Sequence, residues 1–103
     1  MENQNLEVIM GLIVHGGNAK SYAMEAIQAA KEQQFEVADK SIGLAKESLV
    51  EAHHTQTGLL TAEASGKNTE VSLLMVHSQD HLMTSIAFTD LAEELIAIYK
   101  KIA

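Results

Sequence analysis

The sequence predicts an all-α fold, an elongated antiparallel bundle of three long helices, and three observations lead there. Proline is absent while Ala, Leu, Glu, Lys, Met and Gln abound, so nothing removes an amide donor from a helix interior or clashes with the preceding turn. Alternating apolar and polar runs, the mark of half-buried strands, are missing. Apolar and small residues recur instead at spacings of three and four along three stretches. At 103 residues, 47% of them hydrophobic, the chain can fill one core and has no room for a second, so 1–103 reads as one domain.

In the first stretch Leu6, Ile9, Ile13, Gly17, Lys20, Met24 and Ile27 mark a helix from Asn5 to Glu32. Gly16-Gly17 interrupts it. Each glycine costs roughly 1 kcal/mol of helix propensity relative to Ala, so the pair must either kink the helix or admit a close neighbour. In the second stretch Ala38, Ile42, Ala45, Leu49, Ala52, Gln56 and Leu59 mark a helix from Glu36 to Ala64 whose small residues invite close packing. The turn before it, Gln33-Gln34-Phe35, is weakly signalled. Ser65-Gly66-Lys67-Asn68 is a clear stop, with Gly66 suited to a left-handed cap and Asn68 a candidate N-cap for the next helix.

The third helix is expected from Thr69 to Ile102, closing on Lys100-Lys101, which suit the negative end of its dipole. Helices near 30 residues would each be about 45 Å long, which makes the bundle elongated. One stripe of this helix runs Val76, Asp80, Met83, Ala87, Leu91, Leu95, Ile98, Ile102, while Met75, Leu82, Ile86 and Ile96 lie off it. That surface is too wide for one seam in a three-helix unit. Part of it is therefore expected to face another subunit.

Composition excludes several function classes. Fourteen acidic residues against seven lysines and no arginine give a formal charge of -7, and a chain without the usual phosphate-gripping side chain is a poor nucleic-acid binder. Tyr22, Phe35, Phe88 and Tyr99 are the only aromatics, too few for a stacking platform. Cysteine is absent, which rules out disulfides and thiolate metal sites. No charge-free apolar run approaches the roughly 20 residues of a membrane span. Met1 to Asn5 lacks the basic and apolar regions of a leader. The expectation is a cytoplasmic protein with no direct membrane insertion.

One dense polar cluster interrupts an apolar helix: Val76-His77-Ser78-Gln79-Asp80-His81-Leu82-Met83. At 100° per residue Asp80 lies about 60° to one side of His77 and His81 about 40° to the other, so the three share a face. Asp80 falls on the apolar stripe, where an isolated carboxylate needs a partner, a proton or a metal. Spacing alone leaves His77 and His81 open between a functional pair and hydrogen-bonded or surface histidines. The pair also fits half of a zinc site, although two ligands do not complete one and the Glu of His-Glu-x-x-His is missing. His53 and His54 are about 100° apart on a helix, placing one toward the core and one toward solvent; His15 is a lone, partly exposed histidine. No Ser-His-Asp set, glycosidase carboxylate pair or nucleotide-binding glycine pattern is present. A neutral imidazole remains a competent nucleophile toward a phosphoryl group and a good leaving group afterwards.

Three blocks now carry a resemblance over nearly the whole chain: Ile13-Val14-His15-Gly16-Gly17-Asn18-Ala19-Lys20-Ser21 with Glu25-Ala26, Glu51-Ala52-His53-His54-Thr55-Gln56-Thr57 running on to Glu63-Ala64-Ser65-Gly66, and Val76-His77-Ser78-Gln79-Asp80-His81-Leu82-Met83-Thr84. They resemble the lactose/cellobiose-specific enzyme IIA family of the bacterial sugar phosphotransferase system, whose His-x-Gln-Asp-His-Leu-Met signature the third block matches. Gln33-Gln34 stands where relatives often have Gly-Asp, and Ser78 where Ala or Gly is usual. The resemblance implies an up-down-up subunit assembling into a homotrimer with a coiled-coil-like core. It implies that His77 accepts a phosphoryl group from the phosphocarrier HPr and passes it to a cysteine of enzyme IIB, with the membrane component enzyme IIC served indirectly. His81, Gln79 and Ser78 would supply supporting hydrogen bonds, and Asp80 from three subunits would hold one divalent metal, Mg²⁺, per trimer. Blocks 19–26 and 71–74 look closer to members serving cellobiose or another β-glucoside than to lactose ones. The competing reading is a noncatalytic helical oligomerisation or regulatory module whose His-x-x-x-His helix binds metal.

Overall fold

A computed structural model describes residues 3–103, with side chains from Leu6 onward; the leader reading on Met1 and Glu2 lies outside the described residues. Three helices account for them: α1 (Asn3–Lys31), α2 (Phe35–Ala64) and α3 (Leu73–Ile102). The molecule measures 52 × 22 × 19 Å, a length set by the rise of about 1.5 Å per residue in helices of this size. None of the described helices is long and apolar enough to cross a membrane.

Both turns end a helix in the same way. After α2, Gly66 takes φ +91, its amide donates to the Glu63 carbonyl, and the Lys67 amide donates to that of Ala62. This six-to-one and five-to-two pair of bonds satisfies carbonyls that the helix end would otherwise leave open. After α1 the pattern repeats, with Gln33 donating to Ala30 and Gln34 to Ala29. Here, however, the left-handed position is Gln33, at φ 62, where a Cβ costs about 1–2 kcal/mol. That cost explains why the sequence signal is weak at Gln33 and clear at Gly66. The third helix starts later than expected, at Leu73 and not at Thr69. Ser72, and not Asn68, is its N-cap: the backbone there is extended (φ -130, ψ 166) and Oγ accepts from the Met75 amide.

The core is built from small residues. On α1 the buried positions are Ile9, Leu12, Ala19, Ala23, Ala26, Ala29 and Ala30, with Gly16 among them; Leu6 and Met24, picked out by periodicity, are exposed. The buried face thus lies one residue, about 100°, away from the expected stripe. On α2 the stripe Ala38, Ile42, Ala45, Leu49, Ala52 and Gln56 is buried as expected. On α3 the apolar surface divides between two faces. Met75, Ser78, Leu82, Ser85, Thr89, Ala92 and Ile96 face inward, whereas Val76, Met83, Leu91, Leu95, Ile98 and Ile102 are all exposed. Asp80 sits among the latter and is itself exposed. Its carboxylate is thus open to solvent in the single chain.

Helix α2 is tied to α3 at three levels. The Lys100 ammonium reaches both carboxylate oxygens of Asp39, at 2.8 and 2.9 Å; Lys46 pairs with Glu93; Gln56 donates to Gln79 at 2.7 Å. The partner's number falls along α3 as it rises along α2. The two ion pairs are solvent-exposed and contribute little stability, typically under about 1 kcal/mol each. The Gln56–Gln79 bond is partly buried and constrains register more firmly.

Candidate functional site

The polar cluster of the sequence occupies the first turns of α3, and the structure sorts its members onto different faces. His77 is exposed and His81 half-buried. One helical turn apart, their rings stack, with centroids 5.8 Å apart and planes inclined by 23°. Side chains on a helix lean toward its N-terminus, so the His77 ring overlies the first turn of α3, close to the positive end of the helix dipole. Among the described residues no hydrogen bond or ion pair occupies the His77 ring, which leaves it open to an incoming group.

His81 is held from two sides. A Cβ built on Gly16 of α1 would stand 3.1 Å from His81 Cδ2, and one on Gly17 would stand 3.5 Å from Nε2. The glycine pair therefore serves close approach. It does not break the helix, which runs unbroken from Asn3 to Lys31. Behind His81, the Ser85 hydroxyl donates to its backbone carbonyl at 2.7 Å.

The other two expected helpers turn elsewhere. Gln79 follows His77 by two residues, a spacing at which helical side chains do not face each other; its amide oxygen accepts from Gln56 on α2, and its nitrogen lies 3.6 Å from Met75 Sδ. Ser78 is fully buried and donates to the Met75 carbonyl at 2.7 Å, so the expected Ser78 contact to a phosphoryl group on His77 is replaced by a contact within the core. Its size matters there: a small residue lets α3 pack tightly.

The remaining histidines are scattered. His53 and His54 are both exposed, so neither faces the core as expected. His53 borders an open cleft between α2 and α3 with Lys46, Val50, Met83 and Thr89. Half-buried His15 borders another, between α1 and α2, with Glu7, Glu51 and Thr55. Among the described residues no three His, Cys, Asp or Glu side chains converge on a point suited to a metal ion. The described residues of a single chain therefore offer no third ligand to complete a His-x-x-x-His metal site. The exposed Asp80 carboxylate is a ligand type suited to a hard cation such as Mg²⁺, and it would need further carboxylates from outside its own chain.

Comparison with known proteins gives this arrangement a context. Residues 7–100 match the family described as the lactose/cellobiose-specific IIA subunit of the PTS system. The lichenan-specific phosphotransferase enzyme IIA component of Bacillus subtilis is 49% identical over 102 residues, covering 99% of this chain and 93% of its own. Among solved structures, the cellobiose-specific enzyme IIA of Bacillus anthracis superposes with a TM-score of 0.94 at 46% identity, over 99% of this chain and 94% of the other. The IIA component in the solution structure of the Escherichia coli IIA(chitobiose)–HPr complex gives a TM-score of 0.82 at 39% identity, over 99% and 98% of the two chains.

Proposed function

Because the chain belongs to the lactose/cellobiose-specific IIA family, a phosphoryl-carrying component of the sugar phosphotransferase system, we propose that His77 is its phosphoryl acceptor. The phosphoryl group comes from the phosphohistidine of HPr and passes to a cysteine of enzyme IIB, serving enzyme IIC indirectly. The carrying observation is the pair at the start of α3: an exposed, unbonded His77 stacked on a half-buried His81 that α1 holds in place. HPr enters this reading through the relative solved in complex with it.

The chemistry asks little of acid or base groups. In each step a ring nitrogen of His77, read as Nε2, attacks or leaves phosphorus in line. The N–P bond to HPr breaks as the bond to His77 forms; later the His77 N–P bond breaks as an S–P bond to enzyme IIB forms. Such a loose transition state is governed by positioning and by charge stabilisation. His81 supports the phosphoryl oxygens, and Gln79 contributes by tying α3 to α2 beside the histidines. Phosphorylation adds nearly two negative charges, offset by the α3 dipole and, in a chain without arginine, by the partners' basic residues.

The same reading includes an up-down-up antiparallel subunit, a homotrimer and a metal. The exposed row Val76, Met83, Leu91, Leu95, Ile98 and Ile102 recurs at steps of about one or two helical turns, as in a coiled-coil seam, and so long an uncovered apolar face marks an interface. The row also carries Asp80, and three carboxylates brought together there would hold one divalent cation, with Mg²⁺ the fitting choice. The cation would offset their mutual repulsion. The protein works in the cytoplasm, and its sugar is a β-linked disaccharide, cellobiose or a related β-glucoside, by likeness to the lichenan and cellobiose components.

The test is incubation with phosphoenolpyruvate, enzyme I and HPr. Wild type should be labelled, His77→Ala should take no phosphate while keeping its helicity and assembly, and His81→Ala should be labelled slowly. Labelling of His77→Ala at the wild-type rate would show that the acceptor lies elsewhere. Complete loss in His81→Ala with the fold intact would transfer the assignment to His81.

A further inference from the structure

We propose that Gly16 is a positioning residue for phosphoryl transfer: its missing side chain forms the seat on α1 that holds the His81 ring against His77. The proposal rests on the reading of His77 as acceptor. Two consecutive glycines in the middle of a 29-residue helix lower its helix propensity relative to alanines, so their presence calls for a physical cause. Other helical glycines supply the contrast. Among the described residues, a Cβ on Gly11, Gly43 or Gly58 would meet nothing within 4 Å.

At Gly16 the same Cβ would stand 3.1 Å from His81 Cδ2, 3.6 Å from Nε2 and 3.4 Å from Ser85 Oγ. A methyl group there would push the ring or the hydroxyl by a few tenths of an ångström, and both belong to one unit, since Ser85 donates to the His81 carbonyl at 2.7 Å. The imidazole is thus bounded by α1 on one side and by the His77 ring on the other. A ring with few places to go loses little freedom when it meets a phosphoryl group, and the gain shows in the rate more than in the fold. At Gly17 the distance is 3.5 Å, an ordinary contact, which singles out Gly16 as the sensitive position.

The experiment compares Gly16→Ala, Gly11→Ala, His81→Ala and the Gly16→Ala/His81→Ala double variant in the rate of phosphoryl acceptance from phospho-HPr, together with the imidazole ¹H–¹⁵N resonances. Gly16→Ala should accept phosphate about tenfold more slowly with its His81 resonances shifted and those of His53 and His54 unmoved. Gly11→Ala should transfer at the wild-type rate. The double variant should match His81→Ala alone, because a residue that acts through His81 has nothing left to position once the ring is gone. A wild-type rate in Gly16→Ala, or the same fold-loss with and without His81, would overturn the proposal. So would a loss of fold in Gly16→Ala that the double variant does not recover, since the methyl would then be meeting more than the ring. His77→Ala separates the two levels: if it is inert while Gly16→Ala is unimpaired, the acceptor assignment stands and only the seat fails.

Discussion

The two faces of α3 invert the usual distribution of polarity. Its inward face carries three hydroxyls, Ser78, Ser85 and Thr89, beside Met75, Leu82, Ala92 and Ile96; its outward face carries Val76, Met83, Leu91, Leu95, Ile98 and Ile102 around one carboxylate. The inward face is selected for approach. Serines and alanines let three long helices close on one another, and the hydroxyls of Ser78 and Ser85 are satisfied by carbonyls of their own helix. The outward face keeps long apolar side chains open to solvent. Hydrophobicity alone would have exchanged the two.

Leucine truncation separates the faces most sharply. Leu82, fully buried, against Leu91, 64% exposed, gives a pair of chemically identical substitutions. Leu82→Ala should cost about 2–5 kcal/mol in denaturant unfolding at any protein concentration. Leu91→Ala should leave the subunit's own fold within about 0.5 kcal/mol while lowering association, seen as a loss that grows on dilution. Equal, concentration-independent losses would erase the distinction between the faces.

Next in size is the carboxylate on the apolar face. Asp80→Leu should be neutral or stabilising by about 1–4 kcal/mol once assembled and should melt identically in Mg²⁺ and EDTA. Wild type should lose melting temperature and sedimentation coefficient in EDTA. Identical wild-type behaviour under both conditions, with the trimer intact, would remove the cation bridge; a wild type that sediments as a monomer throughout would remove the interface as well.

The smallest effect belongs to the inward face. Among the described residues Thr89 Oγ1 is buried without a hydrogen-bond partner, and Thr89→Val keeps the shape while removing an unsatisfied group. A gain of about 1 kcal/mol is expected from the denaturation midpoint. A loss would mean that the hydroxyl has a partner in solution, and that the inward hydroxyls act as a bonded set.

Small residues make up much of the buried surface in this protein, beside a few large ones such as Ile9, Leu12 and Leu82, while many long side chains point outward. On α2 the alanines at 38, 45 and 52 are part of the expected stripe, and that stripe is the buried one. On α1 and α3 long side chains set the expected stripe, and the buried face lies one residue or more away. The site follows the same division. The shared face of His77 and His81 is legible from a spacing of four, because helical geometry forces it. The turning of Gln79 to Gln56 is not, because the two glutamines are brought together by the packing of α2 on α3.

The sequence by itself determined the number of helices, the stop at Gly66 and the histidine turn, since each depends on contacts within a few residues of backbone. The purpose of Gly16-Gly17 and the identity of the buried faces were decided by tertiary structure. A helix has no inside until a neighbour approaches it, and which side permits the closest approach depends on the partner's side chains as much as on its own. At Gly16 that partner is the ring of His81, far along the chain on another helix, brought within contact distance only when α3 packs on α1.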